Sequence, residues 1–198
     1  MRPLPWWAVL SATAAPVLLI GGWTVAAIRQ PAEFDSVRDT ISALAAYGAN
    51  DRWIMTTGLA GLGVCHVVTA LGMRPAALPG RMMLAIGGLA TIAVAAFPQP
   101  EVGSSPAHVR AATVGFVALA GWPALAWRRG GPVPFGLSFP VATAAAVALL
   151  GLTCWFATEL YGDGDFVGLS ERMTAGAQAL WPLMVVISGR RTTAVRGQ

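Results

Sequence analysis

Lysine is missing altogether: every one of the 13 basic residues is an arginine, and charged residues of all kinds make up only 11% of the 198-residue chain. Soluble domains carry roughly 25% charged residues, so a water-soluble globular fold is excluded. Cysteine is nearly missing too. Cys65 and Cys154 form no CxxC pair and no Cys/His spacing of the zinc kind, which excludes a disulfide framework or a structural zinc knot. Both fall inside apolar runs and serve there as small apolar side chains. Basic stripes are absent as well. The net charge of +4 is spread over arginines that stand in ones and twos between apolar runs, so no nucleic-acid partner is expected.

What the chain has in abundance is apolar length. Hydrophobic residues make up 56% of it, and a mean hydropathy of +0.63 excludes disorder despite 23 glycines and 14 prolines. A membrane crossing takes about 20 residues, and the runs free of strong charge give six spans at about 6–28, 53–73, 82–100, 108–127, 135–158 and 170–189. The first run exceeds the roughly 7 to 15 apolar residues of a signal-peptide core, so it is read as a retained span. The expected architecture is all-α: a single polytopic membrane domain over 1–198, built as a six-transmembrane-helix bundle.

Charge orients this bundle, because arginines flanking a span stay cytoplasmic. An inside N-terminus leaves Arg2, Arg74, Arg81, Arg128, Arg129, Arg190, Arg191 and Arg196 on the cytoplasmic side and all nine acids on the other. Both termini are then cytoplasmic. Trp6, Trp7 and Trp127 fall near the inner interface, and Trp23, Tyr47, Trp53, Trp155 and Tyr161 near the outer one. The expected location is the inner (plasma) membrane, as a multi-pass protein.

The inner connections are short, including the Gly130-Gly131-Pro132 turn, whereas the outer segment 29–52 is long. Phe34, Val37, Ile41 and Leu44 recur there at helical spacing, with Asp35, Arg38, Asp39 and Ser42 on the other faces, which predicts an outer amphipathic helix at about 36–47. Ser36 and Asp39 fit a capping box at its start, and Gly48 closes its end. Close helix packing is expected from small residues, among them Gly58, Gly61, Gly63, Gly87 and Gly88. Pro16, Pro123, Pro140 and Pro182 are expected to bend their helices.

Polar residues are few enough to weigh singly. His66 lies about 20 Å below the outer surface, thirteen residues past Trp53. His108 sits at the outer end of the fourth span, so the two histidines cannot share a metal; no metal and no cofactor are assigned. His66 and Gln178 are intramembrane polar residues, which invite a functional reading, although a hydrogen bond to a neighbouring helix accounts for either. Arg52, Arg110 and Arg172 all stand at outer helix starts, where they oppose the helix dipole and call for negative partners. Outer carboxylates such as Glu171 form an ion-pair cap in one reading. In the other, Asp39, Arg52, His108, Arg110, Glu171 and Arg172 bind an anionic ligand such as a membrane lipid headgroup. Asp39 is read as a helix cap in preference to a catalytic base.

Three functional readings follow, each with a structural requirement. The main reading, an outer anion or lipid site, needs the three arginines to converge; the other two are its alternatives. A small transporter built on a proline-bent helix pair and His66 needs a polar cavity reaching that histidine. A membrane hydrolase using His108, an outer acid and Ser42, with Ser104 and Ser105 as other serines in reach, needs the imidazole about 3 Å from a serine oxygen. Nothing in the sequence requires catalysis: no G-x-S-x-G elbow occurs, and Gly162-Asp163-Gly164-Asp165 lacks the spacing of a calcium loop.

The stretches Phe34 to Leu44 and Gly48 to Met55, with Pro98, Ser105 to His108, Trp122-Pro123, and Gly168 to Arg172 leading into Trp181-Pro182, resemble the bacterial membrane proteins of the domain of unknown function 998 family. The resemblance runs over nearly the whole chain. It implies a multi-span membrane protein and no established reaction.

Overall fold

The computed structural model of the chain describes residues 4–129 and 133–194, with side chains through residue 190. Six long helices follow one another: α1 Trp6–Ile28, α2 Trp53–Gly72, α3 Leu78–Ala96, α4 Pro106–Ala126, α5 Phe139–Tyr161 and α6 Val167–Ala194. Among the described residues there is no strand. Helices α1 to α5 are each long and apolar enough to cross a membrane. Helix α6 interrupts its apolar run with Glu171, Arg172 and Gln178. Arg2, Arg196, the Arg191 side chain and the predicted turn at Gly130, Gly131 and Pro132 lie outside the described residues.

Helix α1 packs mainly on α2, α2 on α3 and α3 on α4, while α6 closes the bundle against α1 and α5. One end of the bundle carries the first turn of α1 and the last of α6 (the terminus end); the other carries residues 29–52 (the loop end). Two apolar clusters fill the interior. Leu19, Leu44, Met55, Leu59 and Leu62 pack toward the loop end; Met73, Leu84, Trp122, Leu137 and Val186 pack toward the terminus end. Leu10, Val17, Leu89 and Val147 point outward, a surface suited to hydrocarbon. Between α2 and α3 the backbones touch. A Cβ on Gly63 would stand 2.5 Å from the Gly88 carbonyl oxygen, and one on Gly88 2.6 Å from that of Gly63. This approach supplies dispersion contact where lipid offers no hydrophobic drive.

Several helix starts differ from expectation. Helix α3 begins at Leu78 because Pro79 is tolerated in a first turn that has no use for its missing N–H. It ends at Ala96, before Phe97-Pro98. Helix α4 starts at Pro106, capped by Ser105, whose Oγ accepts from the His108 N–H at 3.3 Å. Pro140 bends no helix: residues 135–138 form a short turn, α5 begins at Phe139, and Pro140 occupies the first turn. Pro16, Pro123 and Pro182 are interior as expected. At the terminus end, Arg81 Nε and Nη2 donate to the carbonyls of Ala70 (2.8 Å) and Leu71 (2.9 Å). These oxygens end α2 without intrahelical partners, so the arginine acts as a C-terminal cap.

The amphipathic helix predicted over 36–47 does not form; the segment is a series of turns with one 3-10 turn at Ala43–Ala45. The reason is competition for backbone hydrogen bonds. In a helix the Ile41 N–H would seek the Val37 carbonyl. Here that carbonyl accepts from the Leu169 N–H at 2.9 Å, and the Ile41 N–H donates to the Glu171 carboxylate. The carbonyls of Ser36 and Asp39 are taken by Arg172. The periodic apolar residues still do their work, since Ile41 and Leu44 are buried.

Candidate functional site

The first turn of α6 holds the 36–42 segment in place. Arg172 Nη1 donates to the carbonyls of Ser36 (2.8 Å), Asp39 (2.7 Å) and Gly168 (3.0 Å). Gly168 is required for this approach, because a Cβ there would run into the Asp39 and Ser36 carbonyl oxygens. One residue earlier, Glu171 is only 3% exposed. Its Oε2 accepts from the Ile41 N–H and its Oε1 lies 3.4 Å from the Ser42 hydroxyl. A buried carboxyl group is costly unless hydrogen-bonded; the Ile41 N–H supplies one bond to Glu171, while His108 competes for the Ser42 proton.

Ser42 then joins the acid to an imidazole. His108 Nε2 stands 3.1 Å from Ser42 Oγ, and His108 Nδ1 stands 2.9 Å from the Phe97 carbonyl oxygen. A carbonyl only accepts, so Nδ1 carries the proton and the Nε2 lone pair faces the serine. The Phe97 carbonyl has no helical partner of its own, since it caps the end of α3. His108 is thus fixed in ring orientation and tautomer by the backbone of a neighbouring helix. A hydroxyl within hydrogen-bond reach of an imidazole whose far nitrogen is held by an acceptor is the arrangement that activates a serine nucleophile.

The group opens on a chamber. Ser42 and Glu171 line one end of a half-open cavity that extends to His66, Thr91 and Gln178. Its walls are apolar, including Leu19, Leu62, Phe116 and Leu119. The cavity offers about 60 Å³ to the centres of water molecules, against about 10 to 15 Å³ needed for one. His66 is 1% exposed, and neither ring nitrogen meets a hydrogen-bond partner. Gln178 is engaged, its Nε2 donating to the Phe116 carbonyl (3.0 Å) and Thr153 Oγ1 (3.2 Å), which ties α6 to α4 and α5.

A family profile described as protein of unknown function (DUF998) matches residues 13–188. The chain belongs to the DUF998 family. Neither the curated proteins nor the solved structures give a match. In this DUF998 chain the matched region takes in Ser42, His66, His108 and Glu171, so chamber and site lie wholly within it.

The residues singled out from the sequence divide into two groups. Glu171 and His108 meet through Ser42, and Arg172 meets Asp39 through its backbone carbonyl. Arg52 and Arg110 go elsewhere. Arg52 Nε donates to the Ala45 carbonyl (3.2 Å) while its guanidinium stacks on the Tyr47 ring at 4.6 Å. Arg110 Nε donates to the Pro106 carbonyl (3.2 Å), and the side chain is exposed beside Ile86 and Leu89. Each guanidinium has its own backbone partner, so among the described residues the three arginines neither converge nor form an ion-pair cap. The ion pairs among those residues are Arg29 with Asp51 (3.8 Å) and Arg38 with Asp165 (3.3 Å), all well exposed. The Asp39 carboxylate accepts from the Asp35 N–H at 2.8 Å, making it a cap of a turn rather than of a helix. The Phe97 carbonyl and the Ile41 N–H escape sequence reasoning, because backbone groups leave no letter in a sequence. The signal for Phe97 is its place before Pro98, which stops α3 and strands the last carbonyls.

Proposed function

We propose that this chain is a multi-pass inner-membrane hydrolase, with both termini cytoplasmic, that cleaves an ester of a small amphiphile taken from the outer leaflet. The observation that carries the reading is the 3.1 Å approach of Ser42 Oγ to His108 Nε2, with Nδ1 held by Phe97, at one end of an apolar chamber. Ser42 Oγ adds to the ester carbonyl carbon as its proton passes to His108 Nε2. The imidazolium returns that proton to the leaving alcohol, and water then releases the acyl group from Ser42 by the same route. The Phe97 carbonyl oxygen, which holds the Nδ1 proton, favours the transient positive charge on His108. The membrane lipid expected as a partner becomes the source of substrate, and no headgroup clamp of arginines is needed. The orientation rests on charge: all nine acids precede or follow spans on the loop side, and eight arginines flank the other.

The test is turnover of para-nitrophenyl butyrate by the purified protein in nanodiscs, together with fluorophosphonate labelling mapped by mass spectrometry. Ser42→Ala and His108→Gln should each lose at least about a hundredfold in kcat/KM, and the label should sit on Ser42. Turnover by Ser42→Ala at the wild-type rate overturns the reading. One observation favours transport instead, namely that the cavity reaches His66. In that case solute uptake by proteoliposomes would survive Ser42→Ala and fail in His66→Phe.

A further inference from the structure

Away from the chamber, the outward seam between α3 and α4 carries a shallow groove. Ile86, Leu89 and Ala90 form one wall, Ala111 and Val114 the other, and Arg110 stands at its loop end. A Cβ added to Gly115 would lie 3.6 Å from the Ala90 Cβ, so those two positions are level. From Arg110 down α4 to Gly115, and from Ala90 down α3 to Ile86, the groove runs for about 13 Å at 1.5 Å per residue. One leaflet offers roughly 15 Å of hydrocarbon, so the groove is close to one leaflet deep. Ile86, Leu89 and Val114 are exposed along it.

The charge at the head of the groove is unbalanced. Arg110 Nε donates to the Pro106 carbonyl of its own helix at 3.2 Å, which leaves the protons on Nη1 and Nη2 for another acceptor. The ion pairs among the described residues are Arg29 with Asp51 and Arg38 with Asp165, so no carboxylate neutralises Arg110. The first turn of α4 adds a positive end of roughly half an elementary charge. Arg52 and Arg172 also stand at helix starts, but Arg52 stacks on Tyr47 and Arg172 holds three carbonyls. Arg110 alone of the three opens onto an apolar groove.

We propose that this seam binds a diacyl phospholipid of net negative charge, its phosphate on Arg110 and one acyl chain along Ile86, Leu89 and Val114. The terminal nitrogens of a guanidinium match two phosphate oxygens in a paired, charge-assisted contact. A zwitterionic lipid offers the same phosphate but brings an ammonium to a place that is already positive and has no carboxylate to receive it. A free phosphate would engage the guanidinium and leave the groove empty. The site is separate from the chamber, since none of its residues lines that cavity, and it holds whether or not the chain is a hydrolase.

The experiment reads the seam locally. A photoreactive benzophenone amino acid replaces Val117, an exposed residue one turn beyond Val114 on α4, in the full chain reconstituted into nanodiscs of equal parts phosphatidylglycerol and phosphatidylcholine with matched acyl chains. Mass spectrometry identifies the crosslinked lipid. Phosphatidylglycerol should exceed phosphatidylcholine by about fivefold, while the same probe at Val147, an exposed position on α5, should capture the two equally. Arg110→Gln should bring the Val117 ratio to one, and its unchanged melting temperature would show that it is folded. Arg110→Lys, which keeps the charge without the paired geometry, should retain part of the excess. Equal capture at Val117 in the wild type, or an excess that Arg110→Gln leaves intact, overturns the proposal. Millimolar inorganic phosphate should leave the excess in place; its loss would mark a site for a free anion and overturn the lipid as occupant.

Discussion

The single proton of the Ser42 hydroxyl lies between two acceptors, His108 Nε2 at 3.1 Å and Glu171 Oε1 at 3.4 Å. It can serve only one of them at a time. The shorter distance favours the imidazole, and the carboxylate still has the Ile41 N–H.

Glu171 is therefore expected to act mainly through the backbone. Glu171→Gln keeps an oxygen for the Ile41 N–H and should melt within about 1 kcal/mol of wild type. Glu171→Leu leaves a buried N–H unpaired and should cost about 1 to 3 kcal/mol. Thermal unfolding in detergent decides between them; equal melting of the two variants would show that the Ile41 bond contributes nothing.

Arg172 Nη1 shares its two protons among three carbonyl oxygens, two of them on the 36–39 turn. Arg172→Ala should release that turn, with faster amide exchange over 34–42 and a loss of about 2 to 4 kcal/mol. The exchange of α3 and α5 should hardly change. Unaltered protection of the Leu169 and Ile41 amides would refute the pinning role.

The contact between Gly63 and Gly88 leaves no space for a methyl group. Gly88→Ala should push α2 from α3 and destabilise by about 1 to 3 kcal/mol. Gly121 provides the control, because a methyl group placed there would meet nothing within 4 Å, and Gly121→Ala should be neutral or slightly stabilising. Similar melting temperatures for the two would contradict the close approach.

Sidedness can be read directly. In a Cys65→Ala, Cys154→Ala background, Asn50→Cys should react with an impermeant maleimide added outside intact cells, and Arg74→Cys should react only after permeabilisation. Labelling in the opposite order would put the chamber on the cytoplasmic side.

The helices are plain in the sequence because apolar length is what a bilayer demands, and each of α1 to α5 is a run that few charges interrupt. The 29–52 segment misleads for a related reason. Periodicity at Phe34, Val37, Ile41 and Leu44 reports which side chains are buried, not which backbone bonds form. Those bonds are decided by Leu169, Glu171 and Arg172, far along the chain. The arginines mislead similarly: guanidinium groups at helix starts suggest anions, yet here Arg52 and Arg172 are occupied by carbonyl oxygens. His108 and Glu171 are recognisable as polar residues in an apolar chain. That Ser42 joins them is a fact of three dimensions.

The dependence of the 36–42 segment on α6 also sets an order of assembly. Ile41 leaves the ribosome 130 residues before the carboxylate that accepts its N–H, and Val37 and Asp39 likewise wait for partners on the last helix. Five helices can be in the bilayer while Ser42 is still unplaced. A chain cut short before α6 would keep its first five helices and leave the 36–42 segment without the partners that hold Ser42 beside His108.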